Sequence, residues 1–156
     1  MTGVTVRQAT PDDADVAGRL LHDFNVEFET PTPDPAEFAG RFRALLADPD
    51  QVVLLAEDGD VAVGFAYLTL RPTPYYDGPL AQLEELYVRP DLRDQRIGSA
   101  LLTRALELVT ERGAGEMHIG VDEVDTDTRR FYEQRFGFTN VEPATDSRML
   151  YYIREL

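Results

Sequence analysis

The segment from residue 81 to residue 121 constrains the fold of this chain more than any other. It reads as a strand, "AQLEELYV" (81–88), a polar turn, an apolar helix and a second strand, "EMHIGV" (116–121). The helix carries apolar side chains at helical spacing: Leu101, Leu102, Ala105, Leu108 and Val109. Two strands joined through a helix are expected to form a right-handed parallel crossover. The sequence therefore predicts a β-α-β unit at the centre of the fold.

The elements around this unit predict an α+β chain. Strands are predicted near 4–7, 51–57, 61–70 and 148–155, and the strands at 51–57, 61–70 and 81–88 are expected to form an antiparallel meander. Helices are predicted to start at Pro11 and at Pro35, where Asp34 and Glu37 bracket the start as a capping box, and a last helix is predicted over 127–136. We expect a mixed, mostly antiparallel sheet of six to seven strands, with about four helices on both faces. No repeat or linker is visible, so 1–156 is predicted to be a single domain.

The charge of the chain excludes one class of partner. With 29 acidic against 15 basic residues, the formal net charge is -14. A nucleic-acid-binding protein needs a basic face, so we predict no nucleic-acid partner. An acidic surface concentrates cations, which suits a cationic substrate, although it also serves solubility alone.

Two residue types limit the chemistry further. The chain contains no cysteine, which excludes disulfides, thiolate metal sites and a cysteine nucleophile. The two histidines, His22 and His118, lack metal-ligand spacing, so no metal site is predicted. No signal peptide or membrane-spanning segment is visible, so we predict no membrane association and expect a cytoplasmic protein.

The turn "RPDLRDQRIGSALL" (89–102) is the strongest candidate for a binding site. It joins the end of a strand to the start of a helix, where backbone N–H groups and the helix dipole favour an anion. Arg89, Arg93 and Arg96 make it locally positive in an acidic chain. On these grounds alone, an anion site and a plain turn with solvated arginines remain two equal readings.

Two stretches resemble signatures of the GNAT N-acetyltransferases. "LEELYVRPDLRDQRIGSALL" (83–102) is similar to the family's acetyl-coenzyme A motif, which has Arg or Gln, two free positions, Gly, one free position, then Gly or Ala. Here the motif runs from Arg93 to Gly98, with Arg96 at the first glycine position. "RRFYEQRFGF" (129–138) resembles the second signature, an aromatic-Tyr-Glu helix that ends in Gly-Phe. The resemblance implies a GNAT-like domain that uses acetyl-coenzyme A.

The resemblance also implies how the cofactor is held. The strand 84–88 would carry a bulge and splay from the strand 116–121, so that the pantetheine arm pairs with its backbone. The diphosphate would lie on amides of the turn, with Arg93 beneath them; Arg96 would be tolerated if its φ is negative, and its side chain would reach a phosphate. The implied cofactor-binding residues are Leu86, Tyr87, Val88, Arg93, Asp94, Gln95, Arg96, Ile97, Gly98, Ser99, Asp125 and Phe131.

Three residues receive catalytic roles from the resemblance. Glu84 would remove the proton from the attacking amine, the Leu86 N–H would polarise the thioester carbonyl, and Tyr132 would protonate the leaving thiolate. Neighbours on a strand point to opposite faces, so we expect at most one of Glu84 and Glu85 to face the acetyl group unless a bulge intervenes. Glu85 would then bind a cationic substrate or form a salt bridge.

The acceptor is predicted to be a primary amine of a small cationic molecule. The stretches 22–29 and 71–79 fall where the family places its acceptor walls. The candidate substrate-binding residues are Asn25, Glu27, Glu29, Tyr75, Tyr76 and Glu85. The alternatives are acetylation of a protein at its N-terminus or at a lysine, and a catalytically silent sensor that binds acyl-coenzyme A. Members of the family are often dimers, so a homodimer is a further expectation.

Overall fold

The computed structural model describes residues 3–156. These residues contain a five-stranded sheet with the strand order β1-β2-β3-β4-β5. The strands are β1 Thr5–Gln8, β2 Gln51–Asp58, β3 Val61–Arg71, β4 Leu80–Val88 and β5 Met117–Ile119. The pairs β1–β2, β2–β3 and β3–β4 are all antiparallel. The expected antiparallel meander of the three central strands is thereby confirmed.

Four α-helices lie within residues 3–156. They are α1 Ala14–Glu27, α2 Pro35–Leu45, α3 Ile97–Glu111 and α4 Thr126–Arg130, the last continuing into a π-helical turn, Phe131–Arg135. At the start of α2, the Glu37 N–H donates to Asp34 Oδ1 at 2.9 Å and the Asp34 N–H donates to Glu37 Oε2 at 3.3 Å. This reciprocal capping box is the one that the sequence predicts.

The two faces of the sheet carry different helices. On one face, α1 and α2 pack against Val53, Leu55, Phe65 and Tyr87. Val53 and Leu55 share this face because alternate residues of a strand point to the same side of the sheet. On the other face, α3 buries its apolar stripe: a side chain added at Gly64 of β3 would meet Leu101 of α3 at 3.4 Å. Helices on both faces of an α+β sheet confirm the predicted fold class.

The chain divides into two compact units, one extending to His118 and the other running from Ile119 to Leu156. The first unit contains α1 to α3 and strands β1 to β4. The second unit contains α4, the π-helical turn and an isolated antiparallel bridge between Val141 and Arg148. The expectation of a single domain stays a prediction.

The sheet has fewer strands than predicted. The strand expected at 116–121 is confirmed but shorter, since β5 covers Met117–Ile119. The strand expected at 148–155 is wrong: Tyr151, Tyr152 and Ile153 are exposed and no strand is assigned there. If the antiparallel register of Val141 with Arg148 continued, residues after 150 would pair with residues before 139. The residues before 139 form the end of the helix at Gly137, so they are not available as a strand. The alternation of 148–155 is typical of a strand, but within residues 3–156 no strand lies opposite its residues after 150.

Candidate active site

The turn between β4 and α3 has two left-handed residues. Asp94 has φ 65° and Arg96 has φ 64°, and Arg96 is the residue that precedes the first turn of α3. The condition set for Arg96, a negative φ, is therefore not met. No side chain within residues 3–156 caps this helix end, so the positive end of the helix dipole is not offset by a capping carboxylate or hydroxyl. This geometry is suited to an anion, and it is made by the backbone.

Arg96→Gly should stabilise the chain. A left-handed residue with a Cβ costs about 1 kcal/mol relative to glycine, so removal of the Cβ should raise the free energy of unfolding by roughly that amount. Urea denaturation measures the change. Arg96→Ala is the matched control, because it removes the guanidinium but keeps the Cβ. If the free energy of unfolding rose equally in Arg96→Gly and Arg96→Ala, backbone strain at this position would not be the cause of the stabilisation.

The side chain of Arg93 turns away from the helix end. Its Nε donates to the Val88 carbonyl at 3.0 Å, while Nη1 and Nη2 donate to the two Glu27 carboxylate oxygens at 2.7 and 2.8 Å. The guanidinium carbon also lies 5.7 Å from the centre of the Tyr87 ring. Two residues predicted for different roles, Arg93 for the cofactor and Glu27 for the substrate, thus contact each other.

A β-bulge in β4 falls on the predicted catalytic acid. Tyr67 of β3 pairs with Glu85 and the next residue, Leu68, pairs with Leu83, so Glu84 has no partner residue in the β3–β4 register. The bulge expected in this strand is thereby confirmed. A bulge re-aims the side chains around it, which sets aside the simple alternation of the strand at this point.

Both carboxylates of β4 lie on the α1/α2 face of the sheet. Tyr67 defines this face, because its ring packs against Phe42 of α2 with centroids 5.7 Å apart. Glu85 stands opposite Tyr67 and shares its face. Glu84 Oε1 accepts a hydrogen bond at 2.7 Å from Thr69 Oγ1, two residues along the strand from Tyr67. We call Glu84 and Glu85, arranged in this way, the acidic pair.

The two members of the acidic pair differ in burial, and the pKa of Glu85 is raised. Glu84 is exposed, whereas Glu85 is half-buried. Burial first, and then the negative charge of Glu84, raises the pKa of the Glu85 carboxyl from 4.5 to about 7. Burial also raises the pKa of Tyr67, with smaller contributions from Glu84 and Asp48. A carboxyl group that titrates near neutrality has the property required of a general base.

The backbone of β4 continues from the acidic pair toward the turn. Leu86 pairs with Ala66 and Val88 pairs with Gly64 on β3. Tyr87 is buried, and its ring packs against Phe24 of α1 at 5.1 Å. The side chain of Tyr87 therefore belongs to the core, and only its backbone remains for a ligand.

In the second unit, the predicted acid lies on the π-helical turn. Tyr132 is buried there, with its ring 5.3 Å from that of Phe131 and 5.6 Å from that of Phe138. Single π-helical turns occur often at functional positions. Asp125 caps α4 by accepting the Thr128 N–H at 3.2 Å, so its carboxylate has a structural role at the helix start.

The predicted acceptor walls lie at opposite ends of β4. Glu27 meets Arg93 beyond Val88, whereas the loop with Tyr75 and Tyr76 precedes Leu80. The nine residues of β4 span about 27 Å. The structure thus brings Glu27 to the turn and does not bring the two tyrosines there.

The other acceptor candidates and one contact complete the description. Asn25 Nδ2 donates to Thr32 Oγ1 at 3.2 Å, and Glu29 is exposed with φ 54°. Sequence analysis missed Tyr67 and Thr69 of β3, the partners of the acidic pair. The alternation of β3 places them on one face, but only the position of the bulge shows what they contact.

Residues 3–156 contain neither a candidate metal site nor a helix that could span a membrane. No group of three or more His, Cys, Asp or Glu side chains is arranged to hold a metal ion. No helix among these residues has the length and hydropathy needed to cross a bilayer.

Comparison with known proteins points to one family. The model of the family described as "Acetyltransferase (GNAT) family" matches residues 18–138. The aminoalkylphosphonate N-acetyltransferase of Salmonella typhimurium is 30% identical over 127 residues, which cover 81% of this chain and 80% of that protein.

Solved structures show the same fold. The crystal structure of an Arthrobacter sp. FB24 protein assigned as an acetyltransferase has a TM-score of 0.90 and 51% identity, covering 100% of this chain and 98% of that one. An aminoglycoside N-acetyltransferase in complex with coenzyme A has a TM-score of 0.79 at 19% identity, covering 100% and 97% of the two chains. At that identity the second likeness concerns the fold alone.

Proposed function

The chain belongs to the acetyltransferase (GNAT) family, an enzyme family of N-acetyltransferases, and from this premise we propose that it acetylates the primary amine of a small cationic molecule with acetyl-coenzyme A. The observation that carries the proposal is the acidic pair, two carboxylates on one face of β4 with Glu85 titrating near pH 7. The net charge of -14 favours a cationic acceptor. The names of an aminoalkylphosphonate and an aminoglycoside acetyltransferase among its relatives and neighbours agree with a small amine.

The turn before α3 has the donors that a diphosphate requires. Its two left-handed residues and the uncapped start of a 15-residue helix direct backbone N–H groups to one place. We assign the cofactor's phosphates to the amides of 94–99 and its pantetheine arm to the backbone of Leu86 and Val88. When bound, acetyl-coenzyme A supplies the acetyl group as a thioester. The residues present fit this ligand.

Two side chains, those of Glu85 and Tyr132, transfer protons in the proposed reaction. The substrate ammonium must lose a proton before its nitrogen attacks. We assign that proton to a Glu85 carboxylate oxygen, with Glu84 as the charged neighbour that draws the cation and raises the pKa of Glu85. The Leu86 N–H polarises the carbonyl, and the Tyr132 hydroxyl returns a proton to the thiolate sulfur. The assignments to Leu86 and Tyr132 rest on the family pattern.

A thiol-release screen with acetyl-coenzyme A tests the acceptor class. We expect turnover with polyamines or aminoglycosides, and less than a tenth of it with aminoalkylphosphonates or with monoamines of matched size that carry no second positive charge, since one lost charge-assisted contact costs roughly tenfold. Peptides with a free N-terminus or a lysine test the protein-acetylation alternative. Turnover with peptides alone would overturn the small-molecule assignment, and coenzyme A binding without any turnover would favour the sensor.

The side chain of Arg96 makes no hydrogen bond or ion pair with any residue in 3–156. We propose that it contacts a coenzyme A phosphate. Arg96→Gly and Arg96→Ala should then both weaken coenzyme A about tenfold in a calorimetric titration, because each lacks the guanidinium. An unchanged or lower dissociation constant in Arg96→Gly would contradict this contact.

A further inference from the structure

The contacts of Arg93 point to a role other than the one its motif position implies. The two terminal nitrogens of the guanidinium fork, Nη1 and Nη2, donate to the two oxygens of the Glu27 carboxylate, and Nε donates to the Val88 carbonyl. Bidentate Arg–carboxylate pairs are among the stronger polar contacts in proteins. A diphosphate that took the same fork would have to displace Glu27 from it.

The pair joins two elements that are distant in sequence. Glu27 is the last residue of α1 and Arg93 stands 66 positions later, between β4 and the left-handed turn. A carboxylate at a helix C-terminus is unfavourable with respect to the helix dipole, so Glu27 needs a cation close to it. The Tyr87 ring contacts both Phe24 of α1 and the Arg93 guanidinium, which adds packing to the ion pair.

This arrangement fixes where the turn begins. Arg93 is extended, and the next residue, Asp94, is left-handed, so the direction of the amides depends on how Arg93 is anchored. The Val88 bond ties Arg93 to the end of β4, and the Glu27 bonds tie it to the end of α1. These bonds hold Arg93 at both points, directly before the left-handed turn.

We propose that Arg93 and Glu27 are positioning residues that together set the backbone of the turn for coenzyme A, rather than ligands of its phosphates or of the amine. The inference rests on the proposed use of acetyl-coenzyme A. It assigns Glu27 to the cofactor side of the site, because both of its oxygens accept hydrogen bonds from Arg93. The amine is left to the acidic pair.

A double-mutant cycle on the full chain tests the pair. Coenzyme A affinity is measured by calorimetry, and amine KM and kcat by thiol release, for Glu27→Gln, Arg93→Gln and the double variant. We expect each single change to weaken coenzyme A about tenfold and the double change to weaken it no further, since coupled residues are not additive. The KM for the amine should stay within twofold of the wild-type value, because a twofold change corresponds to only about 0.4 kcal/mol of binding free energy.

Two variants guard against trivial causes. Arg93→Lys keeps the charge but loses the fork, so it should behave like Arg93→Gln if positioning requires both bonds. Arg104→Gln removes a cation of α3 that pairs locally with Glu107 and Glu111, and it should leave coenzyme A affinity nearly unchanged. Urea denaturation of every variant shows that it is folded.

Each alternative has its own signature. Tighter coenzyme A binding in Glu27→Gln would overturn the inference, because a released Arg93 would then be a phosphate ligand. A raised amine KM with unchanged coenzyme A affinity would overturn it in favour of Glu27 as an acceptor residue. Wild-type chain that binds no coenzyme A would overturn the proposed function itself, whereas binding that neither variant alters would overturn this inference alone.

Discussion

Glu85→Gln should lower kcat by about a hundredfold or more, the contribution expected of a general base. In the wild type, kcat/KM should fall with a slope of one below about pH 7, because the half-buried Glu85 carboxyl must lose its proton to act. The glutamine variant should lack this acidic limb. A pH–rate profile of thiol release between pH 5 and pH 9 measures both effects.

Glu84→Gln is the matched comparison. The negative charge of Glu84 contributes to the raised pKa of Glu85, so its removal should move the acidic limb to lower pH and leave most of the activity at pH 8. The opposite pattern, activity lost in Glu84→Gln and retained in Glu85→Gln, would return the base to Glu84, as the family resemblance implies. Unchanged turnover in both variants would refute the assignment to the acidic pair.

Stability supplies a second measurement on Glu85→Gln. The pKa of Glu85 rises from 4.5 to about 7 on folding, so the folded chain holds a proton between these pH values that the unfolded chain releases. The contribution of Glu85 to stability therefore falls as the pH rises through this window. Glutamine resembles the protonated carboxyl, so the variant should have a higher Tm than the wild type at pH 8 and a similar Tm at pH 5. A loss of activity together with a gain in Tm excludes misfolding as the cause.

Tyr132→Phe should lower kcat about a hundredfold while the affinity for coenzyme A stays the same. Phenylalanine keeps the ring that packs between Phe131 and Phe138, and removes only the hydroxyl that would protonate the thiolate. Single-turnover kinetics of acetyl transfer measures the chemical step, and calorimetry measures coenzyme A binding.

The control for this change lies in the same unit. Tyr151 is 82% exposed, so Tyr151→Phe removes an equivalent hydroxyl from solvent and should leave kcat unaltered. If Tyr132→Phe instead weakened coenzyme A and left kcat intact, the hydroxyl would be a cofactor contact and the acid would have to be sought elsewhere. Equal losses in both variants would show that neither is specific.

The order of elements could be predicted because local patterns determine it. Alternation gave the hairpin of β2 and β3, the Asp34–Glu37 box marked the start of α2, and the apolar stripe of α3 required a sheet to cover it. Local patterns failed at 148–155, since a strand also requires a partner, and the register of Val141 with Arg148 leaves none. They also did not predict the left-handed conformation of Arg96, because steric preference is a weak guide where a turn must reverse direction.

The sequence by itself determined the fold class, the two family signatures and the types of side chain available: two adjacent carboxylates, an arginine-rich turn and a tyrosine on the last helix. Only the tertiary structure decided how these are arranged. One extra residue in β4 rotates Glu84 to the face of Glu85 and Thr69, and burial then separates the two carboxyls. Likewise, the pairing of Arg93 with Glu27 joins positions 66 residues apart. Register, burial and distant contacts arise from the packed chain as a whole, so no short stretch of residues encodes them.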